Sequence, residues 1–240
     1  MDVGGQNQYG AANYDPKLEV DPTQGDKASK LNICSCALPH MRSFHFAWLS
    51  FFFAFLGWFA LAPLAPVLVQ ELNLSQSDLF TANITSVAAT ILARFAVGPL
   101  CDRFGPKKVQ CLLLTWGAIM IGFSTAVTTA GGLITIRLLI GIVGSTFVPC
   151  QYWSAMLFTK ERAGAAQAIS GGWGNLGGGI TQILIVSVYS GILASTDDVG
   201  VSWRLTMMLP ALCLLICAVG MYFLSVDSPR GDYSTLMQSG

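Results

Sequence analysis

The chain has 240 residues, of which 53% are hydrophobic and 11% are charged, and its 13 basic residues balance its 13 acidic residues. Soluble domains carry about 25% charged residues, so the composition excludes an ordinary soluble protein. We therefore expect an integral membrane protein whose surroundings are the lipid bilayer, with no nucleic acid as a partner.

The first 43 residues contain no long apolar run. They hold five acidic residues, and glycine, asparagine, glutamine and proline are interspersed among them. A segment of this composition cannot bury enough apolar surface to order itself. We therefore predict a disordered tail over residues 1–43.

Six apolar segments follow the tail. Each is long enough to cross a bilayer, which takes about 20 apolar residues. The predicted spans are residues 44–69, 79–101, 109–128, 133–158, 163–193 and 203–226. The expected fold class is an all-α membrane protein with six transmembrane helices over residues 44–226. Residues 227–240 form a cytoplasmic tail or the start of a linker.

The segments that connect these spans alternate in charge. Residues 70–78, 129–132 and 194–202 contain no lysine or arginine. The second and fourth connections hold the basic side chains Arg103, Lys107, Lys108, Lys160 and Arg162. Because basic loops stay in the cytoplasm, this alternation predicts that both termini are cytoplasmic. We expect the plasma membrane as the location.

Arg94 is the only charged residue between positions 79 and 101. It lies about 12 Å along a helix from Asp102, near the middle of a hydrocarbon core about 30 Å thick. An arginine at that depth marks a functional site by default. A polar stripe of Asn83, Ser86 and Thr90 shares its face, which predicts a water-filled cavity. The alternatives are snorkelling to the near surface and a packing role alone.

The turn after the second span has an ordered pattern of glycine, acidic and basic residues. The pattern consists of Gly98, Asp102, Arg103, Gly105, Lys107 and Lys108. It resembles the loop motif of the major facilitator superfamily, which implies a role as a cytoplasmic gate. Physically, Gly98 permits close helix approach, and we expect Asp102 to form a charge network with the basic residues.

Arg137, with Gly141 and Gly144, resembles a second motif of that superfamily. Because Arg137 begins close to the outer end of the fourth span, snorkelling of its side chain is a serious alternative.

The fifth span carries six glycines between Gly171 and Gly179. Each costs about 0.8–1 kcal/mol against alanine in a soluble helix, so a packing or binding reason is needed. Asn175 shares a helical face with some of them. The members that we assign to the signature and to packing are Gly171, Gly174, Gly178 and Gly179. An ordinary packing seam is the alternative.

This glycine-rich segment resembles the nitrate signature of the nitrate/nitrite porter family, a branch of the major facilitator superfamily. Arg94, residues 147–153 and residues 227–233 match that family as well. The resemblance implies transport of nitrate or nitrite by alternating access, coupled to protons in the full-length form. It also implies that this chain is an N-terminal half, which needs a C-terminal six-helix half to complete the anion site.

The predicted substrate site contains Arg94, Asn175, Phe147 and Gln151. None of the acidic residues lies well inside a predicted span, so a deep guanidinium favours an anion. Asn175 offers a neutral hydrogen bond. Phe147 and Gln151 are one helical turn apart, so the ring could flank a flat anion, although an ordinary core role for Phe147 is equally open.

Two other functions remain open. The chain could belong to a transporter of another anion, or it could be a non-transporting half that pairs with or regulates a full-length relative. We do not expect an enzyme, because no nucleophile and base set appears, and we expect no catalytic residue, no cofactor and no metal site.

Overall fold

The computed structural model describes residues 18–231, and predictions for residues 1–17 and 232–240 lie outside this range. The regular secondary structure of the described residues is helical, apart from a short antiparallel pair of strands, β1 (Val20–Asp21) and β2 (Lys27–Ala28). The helices are α1 (His40–Phe59), α2 (Ala65–Glu71), α3 (Gln76–Phe104), α4 (Pro106–Ser124), α5 (Ala130–Gly141), α6 (Phe147–Leu157), α7 (Lys160–Thr196) and α8 (Val199–Leu224). A 3-10 segment, Ile142–Thr146, joins α5 to α6.

Between residues 18 and 231, four stretches are long and apolar enough to cross a membrane. They are Gln76–Phe104, Ala130–Leu157, Lys160–Thr196 and Val199–Leu224. Length and composition therefore do not confirm the predicted six spans. The all-α class is confirmed by the helices. Helices α1 and α4 have 20 and 19 residues, but the polar residues in their first turns lower their mean hydropathy.

The predicted span over residues 44–69 is two helices rather than one. Helix α1 ends at Phe59, and α2 begins at Ala65 with a proline in its first turn. Pro63 lies within this break, and Pro66 is the second residue of α2. A proline cannot donate a backbone hydrogen bond and is tolerated only at a helix start, so the chain turns before α2.

Helix α1 lies at the centre of the bundle and contacts α4, α6, α7 and α8. Its inner face, which includes Phe44, Phe51 and Ala54, is fully buried. By contrast, only 22% of the apolar part of α3 and 17% of that of α7 are buried, against 61% for Ala130–Leu157. Helices α3 and α7 therefore present broad apolar faces to their surroundings.

The disorder predicted for residues 1–43 does not extend over the described part of that segment. Ala28 is fully buried, and its carbonyl accepts a hydrogen bond from the backbone N–H of Thr159 at 3.0 Å. The Lys27 ammonium donates to the carbonyl of Ala155 at 2.9 Å, and Asp26 forms an ion pair with Arg230. These contacts order the β1–β2 hairpin against the basic end of the bundle, which composition alone does not reveal.

Candidate functional site

Arg94 and Phe147 lie side by side, on α3 and at the start of α6. The guanidinium carbon of Arg94 is 5.6 Å from the centre of the Phe147 ring. Its Nη2 donates a hydrogen bond to the carbonyl of Gly144 at 3.3 Å. Arg94 is exposed and, among the described residues, forms no ion pair. Its charge is therefore open to an anion beside an aromatic ring.

Gln151 forms hydrogen bonds between α6 and α7 next to this ring. Its amide nitrogen donates to the carbonyl of Gln167 at 3.3 Å, and the Gln167 amide donates back to the carbonyl of Gln151 at 3.2 Å. A Cβ on Gly171 would lie 3.2 Å from the Gln151 nitrogen and 3.8 Å from the Phe147 ring. The absence of a side chain at Gly171 therefore lets α7 approach α6 here.

Asn175 lies one turn beyond Gly171 on α7. Its amide nitrogen donates to the carbonyl of Gly171 at 2.9 Å, and the residue is exposed. Of the predicted substrate site, Arg94 thus contacts Phe147, and Phe147 and Gln151 flank Gly171. The side chain of Asn175 is bonded within its own helix and contacts none of the other three.

Two residues of the polar stripe on α3, Ser86 and Thr90, do not line a cavity, contrary to the prediction. Ser86 is fully buried and accepts a hydrogen bond from the indole N–H of Trp58 at 2.8 Å. Thr90 is 3% exposed and donates to the carbonyl of Gly141 at 2.5 Å. Since their polar atoms bind neighbouring helices, Ser86 and Thr90 form a packing seam. The residues at the two ends of the stripe, Asn83 and Arg94, are exposed.

Arg137 does not snorkel, because its side chain is only 7% exposed. One terminal nitrogen donates to the carbonyl of Trp58 at 2.9 Å, and the other donates to the side-chain oxygen of Asn83 at 2.6 Å. Arg137 therefore joins α5 to both α1 and α3.

The glycines of α7 divide into two groups. A Cβ on Gly174 would overlap the ring of Phe51, and one on Gly177 would overlap the backbone carbonyl of Phe52. Gly178 has the Phe59 ring 3.1 Å from its Cβ position, whereas nothing lies within 4 Å of Gly179. Gly179 therefore makes no close contact within the described residues, and the packing role predicted for it stays a prediction. Gly177, which the predicted set omits, could have been found from its spacing of three after Gly174.

The turn of the predicted gate motif contacts Asp227, a residue outside the motif. Gly105 has a φ of +84°, and the carboxylate of Asp227 occupies the space beside it. Lys107 is 4% exposed and donates from its ammonium to the carbonyl of Ser225 at 3.2 Å. Asp102 is exposed instead of organising the turn. Arg103, which is also exposed, lies over the ring of its neighbour in the sequence.

Gly98 was expected to permit close helix approach. Nothing among the described residues lies within 4 Å of the position that its Cβ would occupy, so it serves no such contact inside this bundle. Lys108, the last residue of the motif, is half-buried.

Comparison with known proteins places these features in context. The family profile described as Major Facilitator Superfamily matches residues 47–237. "High affinity nitrate transporter 2.5" of Arabidopsis thaliana is 36% identical over 215 residues, which are 90% of this chain and 43% of that protein. "Nitrate/nitrite transporter NrtP" of Nostoc punctiforme is 35% identical over 192 residues, 79% of this chain and 38% of that protein.

A solved structure shares the fold. It is that of a bacterial homologue of the human lysosomal transporter Spinster, inward-facing and unoccupied, with a TM-score of 0.66 at 15% identity. The match covers 83% of this chain and 47% of the other. The chain thus spans a little less than half the length of the curated relatives it matches.

Proposed function

Because this chain belongs to the major facilitator superfamily, we propose that it forms part of a transporter of nitrate or nitrite. The observation that carries the proposal is the exposed guanidinium of Arg94, which lies beside Phe147 without an acidic partner among the described residues. The names of relatives, which include nitrate and nitrate/nitrite transporters, support nitrate or nitrite as the proposed anion.

The chemistry of Arg94 suits a planar oxyanion. A guanidinium presents its N–H donors as a rigid fork that matches two oxygens of such an anion. Its single bond to the carbonyl of Gly144 leaves the other donors for a substrate. The Phe147 ring would flank the flat ion, and the second N–H of the Asn175 amide would add a neutral hydrogen bond. Gln151 would hold α6 against α7 at the site, since its amide N–H groups donate to Gln167 and Ser170.

The proposed membrane arrangement has six spans and cytoplasmic termini. Helices α1 and α4 supply the two spans that their hydropathy alone does not establish, since 19–20 residues reach about 30 Å. Residues 44–226 would form the bundle, and residues 227–240 would form a cytoplasmic tail or linker. The basic turn between α3 and α4 faces the cytoplasm under this proposal, and the membrane is the plasma membrane.

The apolar faces of α3 and α7 support a second half. Phe95 is 76% exposed and Ile183 is 74% exposed, so large side chains lie open along both helices. Exposed apolar surface on this scale marks an interface with lipid or protein. We propose that a C-terminal six-helix half covers part of these faces, contributes the rest of the anion site, and completes alternating access coupled to protons.

Isotope uptake tests this function. Proteoliposomes would contain either this chain alone or this chain with the C-terminal half of a nitrate-transporting relative, and labelled nitrate would be followed with and without an inward proton gradient. We expect uptake only with both halves, and more of it with the gradient. Full uptake by the monomeric chain alone would overturn the proposed incompleteness.

The same experiment separates the competing functions. Uptake of other anions in preference to nitrate would support a transporter of different specificity. If no partner half restored uptake but the chain bound a full-length relative, the chain would instead be a regulatory half.

A further inference from the structure

A small cavity lies at the end of the bundle opposite the Gly105 turn. Its volume is about 80 Å³, and a water molecule takes about 30 Å³ of liquid. It therefore has room for a small ion together with water, and it opens toward the surface beside Ala62 and Asn83, which are both exposed. The lining residues come from the α1–α2 turn, from α2, from the N-terminal part of α3 and from α5: Leu61, Ala62, Ala65, Leu68, Leu79, Ala82, Asn83, Leu133 and Arg137.

Arg137 is the one charged residue in this lining. Its side chain is more than nine-tenths buried, and both of its protein acceptors are neutral: the Trp58 carbonyl and the Asn83 side-chain oxygen. A guanidinium has five N–H donors, so three remain after these two bonds. A buried cation without an anion is costly, which leaves the cavity attractive to negative charge.

The acidic residues closest to this lining in the sequence, Asp78 and Glu71, contact other groups. Asp78 accepts hydrogen bonds from the backbone N–H and the hydroxyl of Ser75, at 2.8 and 2.7 Å. The carboxylate of Glu71 lies beside Gly200, 2.7 Å from the position that a Cβ there would occupy. Among the described residues, neither forms an ion pair with Arg137.

Asn83 gives the cavity a second set of donors. Its side-chain oxygen accepts from Arg137, so its amide NH₂ is the part of the group that remains for a ligand. The polar side chains that line the cavity thus present donors, surrounded by leucine and alanine. This combination selects an anion over a cation or a neutral solute.

We propose that this cavity is a second anion site, which takes a small inorganic monovalent anion such as nitrate or chloride. Asn83 precedes Arg94 by eleven residues on α3, which corresponds to about 16 Å along the helix. The two sites are therefore separate. If the basic turn is cytoplasmic, this second site lies at the outer end, where an anion arriving from outside reaches the bundle first.

The test uses the purified chain in detergent, with Arg94→Gln introduced to remove the central site. Sodium nitrate, chloride or gluconate would be added at constant ionic strength, and the temperature of thermal unfolding would be followed. We expect nitrate and chloride to raise this temperature in a saturable way, and the bulkier gluconate, which fits less well between the leucine and alanine side chains, to raise it less at the same concentration.

Substitution of Arg137 itself could unfold the bundle, so the decisive variant keeps it. Ala62→Leu fills the cavity from its exposed turn, and Ala88→Leu, at an exposed position of α3 outside the lining, is the matched control. We expect Ala62→Leu to weaken nitrate binding at least tenfold and Ala88→Leu to leave it unchanged. If the Arg94→Gln protein shows no anion effect, or if Ala62→Leu leaves the effect intact, Arg137 is only a structural cross-link. Because the readout is binding rather than uptake, either result is independent of the proposed transport.

Discussion

The side chain of Asp227 accepts a hydrogen bond from the backbone N–H of Lys107 at 2.8 Å, across 120 positions of sequence. This contact joins the segment after α8 to the turn between α3 and α4. It also explains why the turn begins with Gly105, since the Asp227 carboxylate lies 2.7–2.9 Å from the position that a Cβ would occupy there. The turn therefore requires a glycine for two reasons, its φ of +84° and the neighbouring carboxylate.

We expect Gly105→Ala to destabilise the protein. The backbone at this residue, with φ +84° and ψ 151°, lies near a region used almost only by glycine, and such strain costs about 1–3 kcal/mol. The measurement is thermal unfolding of the purified chain in detergent. Gly122→Ala is the matched control, because it is in helix α4 with nothing within 4 Å of its Cβ position, and alanine is favoured there by about 1 kcal/mol. Equal unfolding temperatures for the two variants would contradict this account.

A second pair of variants tests the glycine seam of α7. Gly177→Ala places a methyl group against the backbone carbonyl of Phe52, which cannot move aside as a side chain can. We expect a loss of about 1–3 kcal/mol from overpacking between α7 and α1. Gly179→Ala, half a turn away, should be neutral or stabilising, because its Cβ position is open. The comparison uses the fraction of folded protein after detergent extraction at increasing temperature. A loss of equal size at both positions would show that open space at Gly179 is required as well.

Residue types and spacing on single helices were predictable from the sequence. Arg94 and Phe147 lie in contact, and Phe147 and Gln151 share one face of α6, because residues four apart on a helix point the same way. Their role as a substrate site stays a prediction. The length of α3 also follows from one unbroken apolar segment.

Contacts between distant segments could not be predicted in this way. The burial of Ala28 depends on backbone pairing with Phe158 and Thr159, just before α7. Pairing through the backbone leaves no pattern of side chains in the sequence. The polar stripe on α3 was assigned to a cavity because a sequence shows only that Ser86 and Thr90 share a face. It does not show that Trp58 and Gly141 supply their partners.

The docking of the N-terminal hairpin should weaken in acid. The ring of His40, which precedes the predicted first span, is buried and bonded through Nε2 to the carbonyl of Asp26 at 2.7 Å, whereas its Nδ1 has no partner among the described residues. Burial lowers the pKa of His40, an effect that outweighs the opposing influence of Asp26. The unfolded state therefore binds the proton more readily, so this stability is fully present above about pH 6.5 and is lost as the pH falls from there through the lowered pKa of the folded state.

His40→Gln provides the comparison for this effect, because it retains a polar side chain that does not titrate. We expect the unfolding temperature of the native chain to fall more between pH 7.5 and pH 5 than that of the variant. Parallel pH profiles would show that His40 is not the group responsible.

The orientation can be tested with the chain's own cysteines. Cys34 and Cys36 are exposed and lie just before α1, at the same end as the basic turn, whereas Cys101, Cys150 and Cys217 are buried. A membrane-impermeant maleimide should therefore label intact cells weakly and permeabilised cells strongly. A cysteine introduced at Asn73, in the connection between α2 and α3, should show the opposite pattern. Strong labelling of Cys34 and Cys36 in intact cells would reverse the proposed topology.

The substrate role of Arg94 is tested by Arg94→Lys in a complete transporter that contains this chain. Lysine keeps the charge but loses the planar fork, so one of two charged hydrogen bonds to a bound nitrate would be missing. Such a bond contributes about 1.5–3 kcal/mol, which corresponds to a loss of apparent affinity of roughly 10- to 100-fold.

Asn175→Ala should weaken affinity less, since a neutral hydrogen bond is worth about 0.5–1.5 kcal/mol. Nitrate uptake would be measured against concentration and normalised to surface protein, which separates binding from folding. If Arg94 served only to bind the Gly144 carbonyl and pack on Phe147, both variants would change the amount of protein rather than its affinity. An unchanged affinity in Arg94→Lys would remove Arg94 from the substrate site.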